Sequence, residues 1–285
     1  MITNYGNFNA FCKDSTLPVC NLFDDVQKTC TLVGFNTVNG HRIGNLGLMI
    51  LSFFAVVLAV VFIICAHRRR GAVGRREMQI LFFSYIIVSI SAFFASGEFI
   101  TNRRVLVYFS AIEIGATCAT AWLLVVNAIV AYQLLPDGGV LSVGLTVFSG
   151  LAFFIGTGYI ALDSAFSWTG AFDSATGEPE LLRNYALYTV YLLWPIIAVV
   201  VYLILELNLV IGILHELRPM ILLILSFFLF VVGQVFEFVV SKYICSDTSG
   251  KIDGSLFACL FTLFSFGSLW AFWVSITEDE YMGDL

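Results

Sequence analysis

The stretch His67-Arg68-Arg69-Arg70-Gly71-Ala72-Val73-Gly74-Arg75-Arg76-Glu77 decides how the chain has to be read. It holds five of the fourteen Lys and Arg residues and lies between two long apolar runs. A cluster of this charge resists crossing a bilayer and stays on the cytosolic side, which orients whatever is threaded after it. Arg68, Arg69, Arg70, Arg75 and Arg76 are therefore the topology-setting residues. The loop itself needs no role beyond that of a solvated charged turn.

Upstream of this loop, residues 44–66 are long enough to cross a ~30 Å hydrocarbon core at about 1.5 Å per residue. Downstream, apolar runs cover residues 78–97, 105–132, 141–162, 185–213, 219–240 and 255–276. The expected fold is all-α: a polytopic membrane protein with seven transmembrane helices in one bundle. The fifth run is long and is expected to tilt or kink at Pro195. Composition agrees, with 59% hydrophobic residues, 12% charged and a mean hydropathy of +0.93. No ordinary soluble domain has that make-up. The net charge of −6 is spread over termini and loops and argues for the lipid bilayer and against nucleic acid as a partner.

Seven spans place the termini on opposite sides. Residues 1–43 form a luminal, Cys-containing segment, 44–276 the transmembrane domain and 277–285 a short acidic cytosolic tail. Total Lys and Arg counts run the other way, with six in cytosolic segments and eight in luminal ones. Charges flanking the first spans weigh most, so the N-terminus is expected in the lumen. Residues 1–43 lack the basic start and short apolar core of a cleavable signal, so the first span is expected to be an uncleaved anchor. On this topology Cys12, Cys20, Cys30 and Cys245 all face an oxidising space and are candidates for disulfides, with three pairings open. Cys65, Cys118 and Cys259 lie within spans, as small packing residues do.

The third span carries two stripes. Ala111, Gly115 and Ala119 recur every four residues and let another helix backbone approach closely. Glu113, Thr117, Thr120 and Asn127 share the opposite face. Such a helix has little surface for lipid and is expected at the bundle centre. Gln234 and Glu237, three apart in the sixth span, make a second polar face. Glu98, Glu113, Asp163 and Glu237 fall in luminal halves of the spans, and Glu206 alone approaches the cytosol. Acids at such depth face a bundle interior or a wet cavity, or else pair with Arg103, Arg104, Arg183 or Lys242 at the interface.

The chemistry that is missing narrows the function. His41 lies on the luminal side and His67 and His215 on the cytosolic side, so the three cannot converge on one metal ion. No phosphate-binding Gly-rich loop and no nucleophile elbow occurs. The last span has no Lys for a retinal Schiff base, and the third span ends Ala131-Tyr132-Gln133 without the acidic-Arg-aromatic triplet of rhodopsin-like receptors. No catalytic residue, metal site or cofactor is expected, and the chain is read as a non-enzyme.

Phe11-Cys12 followed by Leu17-Pro18-x-Cys20 resembles the opening of the fungal chitin synthase export chaperones. Gly74-Arg75, Glu77 and Phe82-Phe83 are similar to that family's first cytosolic loop and second span. Tyr108-Phe109, Ala111-Ile112, Ile114-Gly115, Trp122 and Asp137-Gly138 follow its third span and exit loop. Gly233-Gln234, Cys245, Asp253-Gly254 and the acidic end after Ile276 complete the likeness. Glu113 and Glu237 depart from it, since uncharged residues are expected there, as does the shorter stretch between the second and third cysteines. The resemblance implies a multi-pass protein of the endoplasmic reticulum membrane that helps a chitin synthase fold and leave, supporting cell-wall chitin synthesis. It leaves open whether the protein travels with its client to the cell surface. The polar faces Glu113/Thr117/Thr120/Asn127 and Gln234/Glu237 are then either client contacts or groups satisfied inside the bundle. The alternative reading is a seven-helix receptor for a small ligand, its luminal acids lining the pocket.

Overall fold

The computed structural model describes residues 5–14, 16–23, 32–36, 42–69, 71–133, 138–172 and 182–277. Among the described residues seven helices are long and apolar enough to cross a membrane: α2 (Leu46–Arg68), α3 (Arg75–Ala95), α4 (Arg103–Ala131), α5 (Val140–Phe166), α6 (Tyr185–Leu214), α7 (Leu217–Asp247) and α8 (Gly254–Ile276). A short helix α1 (Asn9–Asp14) and a 3₁₀ turn (Pro18–Leu22) precede them. A two-residue antiparallel pair joins β1 (Phe35–Asn36) to β2 (Arg42–Ile43). Cys30, Arg70 and the tail 278–285 lie outside the described residues.

The helices alternate between two ends. One carries the N-terminal segment, the other the Arg loop. α4 is the most enclosed helix, with 56% of its apolar window buried against 22–44% for the others. Its small residues are the cause. A Cβ built on Gly115 would stand 2.7 Å from the Phe154 carbonyl oxygen and 3.4 Å from the Gly158 nitrogen, so the stripe lies directly on the α5 backbone. Packing of this closeness is the main attraction between helices in lipid. On the outside, Phe53 and Phe54 of α2, Phe148 of α5 and Phe228 of α7 are exposed, as lipid-facing side chains are.

Two of the helices depart from regular geometry. In α6, residues Thr189–Leu193 form a π turn just before Pro195, and Val210–Leu214 form another at the end. Proline lacks an N–H, and a wider turn absorbs the interrupted ladder. In α7, Phe236–Val240 make a third π turn, after which the helix runs on for another two turns. The sixth span therefore ends at Asp247, seven residues beyond the expected boundary, and Cys245 sits in its last turn and not in a loop. A Cβ on Gly254 would come within 2.1 Å of the Phe236 carbonyl oxygen, so α8 begins pressed against this widened turn. Ser226 and Ser265 tie α7 to α8 further along, each donating to the other's backbone carbonyl at 3.0 and 2.8 Å.

The N-terminal segment is folded into the bundle end. Phe8, Cys12, Val19 and Leu22 are buried with Val107 and Ile114 of α4, Ala161 of α5 and Leu187 of α6. Residues 6–8 pair with 182–184, through Phe8 N–H to Leu182 O and Asn184 N–H to Gly6 O, both at 2.9 Å. The Cys12–Cys20 disulfide closes the short loop between α1 and the 3₁₀ turn. Cys245 is disulfide-bonded as well, while Cys65, Cys118 and Cys259 are free thiols.

Candidate functional site

The polar groups of the membrane helices fall into three sets. The first closes the N-terminal end. Asp253, wholly enclosed, accepts from Asn45 Nδ2 at 3.0 Å and Ser255 Oγ at 2.7 Å, and its other oxygen accepts from Thr16 Oγ1. Asn45 also caps α2 by accepting from the Leu48 N–H at 3.1 Å. Asn21 donates to the Ala95 carbonyl and to Ser110 Oγ, at 3.1 and 3.0 Å, which fastens the 3₁₀ turn to α3 and α4. Asp163 is held by its own turn. It accepts from the Thr169 N–H at 2.6 Å, Thr169 Oγ1 at 2.9 Å and the Phe172 N–H at 3.2 Å, and so closes the turn after α5.

The second set is the expected polar face of α4 with its counterpart on α7. Glu113 and Glu237, each 8% exposed, lie close enough to act on one another electrostatically, with Tyr191 of α6 beside both. Glu113 Oε2 has no hydrogen-bond partner. Both acids are enclosed in the bundle, Glu237 within the π turn of α7. Thr120 is engaged with α3, sharing a 2.7 Å hydrogen bond with Ser84. Asn127 donates to its own helix at Leu123 O, 2.8 Å, and reaches the Glu77 carbonyl at 3.5 Å. Thr117 and Gln234 are only half-buried. Thr117 and Thr120 line a cavity of about 140 Å³ enclosed by α3, α4, α6, α7 and α8, walled also by Pro195, Val199, Phe227 and Phe230. The expected face thus divides by burial: Glu113, Thr120 and Glu237 are buried, and Thr117, Asn127 and Gln234 are half-buried.

The third set lies at the Arg-loop end. Glu77 is fully buried and accepts from Ser142 Oγ at 2.6 Å and from the Gly138 N–H at 3.2 Å, which pins the start of α5. The sequence reading gave this acid no structural role, because a Glu that closes an arginine-rich stretch looks like part of the charged loop. The loop is also less solvated than expected. Ala72 is buried, and Trp273 Nε1 of α8 donates to the Val73 carbonyl at 3.1 Å. A second cavity of about 310 Å³ opens here, and Glu206 is in its wall. Among the described residues no group of three or more His, Cys, Asp and Glu side chains is placed to hold a metal ion.

Comparison with known proteins bears on what this arrangement serves. The family profile described as "Chitin synthase export chaperone" matches residues 4–284. A chitin synthase export chaperone of Phaeosphaeria nodorum is 28% identical over 97% of this chain and 83% of its own length. One from Coccidioides immitis is 27% identical over 97% and 84%, and one from Cryptococcus neoformans 28% over 97% and 75%. No solved structure matches the chain. With a profile that spans nearly every residue and relatives aligned along the whole bundle, this multi-pass membrane protein belongs to the chitin synthase export chaperone family.

Proposed function

We propose that this chain binds a chitin synthase in the endoplasmic reticulum membrane, holds its helices until they assemble, and catalyses nothing. The match of the family profile across residues 4–284 carries the reading. The comparisons lend the receptor alternative no support. A physical mechanism goes with it. A multispanning client has polar groups that stay unsatisfied in lipid until its own helices pack. Thr117, half-buried in the wall of an apolar cavity, and Gln234, half-buried on α7, can satisfy such groups for a time. The N-terminus faces the lumen in this reading. The Cys12–Cys20 disulfide supports that side, since disulfides persist in oxidising compartments.

Deleting the gene should leave a tagged chitin synthase in the endoplasmic reticulum and lower cell-wall chitin, with synthase transcript unchanged. Normal delivery of every chitin synthase to the cell surface would end the reading. Gln234→Leu should reduce co-purification of the synthase only in part, because one membrane hydrogen bond contributes ~0.6–2 kcal/mol. Undiminished capture by this variant would move the interface elsewhere on the bundle.

A further inference from the structure

The cavity at the Arg-loop end has a feature that packing does not explain. Glu206 of α6 is 3% exposed, and its Oε2 has no hydrogen-bond partner. Three of the donors lining the same space are turned elsewhere. Tyr132 donates its hydroxyl to the Leu205 carbonyl at 2.7 Å, Trp273 its indole N–H to Val73 O at 3.1 Å, and Asn127 its amide to Leu123 O at 2.8 Å. Among the described residues no Lys or Arg lines the cavity. Arg75, next in the chain to the lining residue Gly74, donates back toward the His67 carbonyl at 3.4 Å. A carboxyl group enclosed without a donor is costly to keep, and a complement from outside the chain removes that cost.

We infer that this cavity binds an organic cation, a protonated amine or a guanidinium group, with Glu206 as its counter-charge. The volume, about 310 Å³, is enough for a group of this size. The walls suit it, because the rings of Tyr202 and Trp273 offer π faces that attract a cation once it has shed water. Hydrogen bonds from an ammonium or guanidinium to a carboxylate are among the strong ones. Val73 and Gly74 of the Arg loop and Thr277 at the end of α8 are in its wall, so the ligand enters from the Arg-loop end. Two sources share this chemistry: a free amine in the adjoining aqueous phase, and a Lys or Arg side chain at the membrane boundary of a partner helix. The inference does not depend on the chaperone reading.

The full-length protein in nanodiscs provides the test, with n-butylammonium as one probe and 1-butanol as its neutral counterpart. The amine at ~10 mM should raise the melting temperature by about 2 °C or more, as a ligand bound only to the folded state does. Glu206→Gln should abolish the rise, and 1-butanol should cause none. A second arm uses two single-span leucine helices, one with a Lys at the Arg-loop boundary and one with Gln there. Retention of the Lys helix alone, lost with Glu206→Gln, assigns the site to a partner side chain; a response to the amine alone assigns it to a free cation. On unmutated protein, the amine should slow carbodiimide labelling of Glu206 and leave Glu113 and Glu237 unaffected. Equal responses to amine and alcohol, a response that survives Glu206→Gln, or no response to either cationic probe would overturn the inference.

Discussion

At the N-terminal end of the bundle Asp253 is enclosed and receives hydrogen bonds from Thr16, Asn45 and Ser255, whereas at the Arg-loop end Glu206 is nearly as enclosed and its Oε2 receives none. The same side-chain chemistry has been given two kinds of surroundings. Around Asp253 the chain supplies every donor, and a disulfide-closed segment lies on top. Around Glu206 it supplies a cavity. A buried acid with its partners in the fold is part of the structure. One without them is poised for something the chain does not contain. Glu77, at the same end as Glu206, stands between the two: its Oε1 is held by Ser142 and Gly138, while its Oε2 has no partner.

The comparison breaks most visibly if Asp253→Ala is tolerated. That change strands three donors in a sealed end, each costing ~1–3 kcal/mol, and should lower stability by roughly 3–5 kcal/mol in thermal unfolding of detergent-solubilised protein. A variant that melts like the original would mean that water, and not Asp253, satisfies this end. Replacing Cys12 and Cys20 together by Ser tests whether the plug depends on its covalent tie. The closed loop is short, with a sequence separation of 8, so a loss of about 2–3 kcal/mol is expected, in the same measurement. Protection of residues 5–23 from proteolysis should fall with it. Glu206→Gln should do least. With no partner to lose on Oε2, its melting should stay within ~0.5 kcal/mol of the original. A drop comparable to that of Asp253→Ala would show that Glu206 is a structural acid after all and would erase the difference between the two ends.

Part of this was readable in the residues. Seven apolar runs, the Arg loop and a central third helix follow from length, hydropathy and the four-residue spacing of Ala111, Gly115 and Ala119, because in a bilayer each backbone polar group must be satisfied within its own helix. The same spacing could say that a polar face exists on α4 but not which neighbour it meets. Thr120 meets Ser84 and Glu113 comes near Glu237, over separations of 36 and 124 residues, and no local pattern encodes such proximities. The sixth span ran long because a π turn carried α7 past Val240, and wider turns leave no signature in hydropathy. Glu77 was hidden for a related reason: its partners, Gly138 and Ser142, lie two helices away. What the sequence by itself determined was the number of helices, their rough limits and the family. Only the tertiary structure decided which buried acid has its donors and which has a cavity, since that depends on where neighbouring helices bring their side chains and not on the acid's own position along the chain.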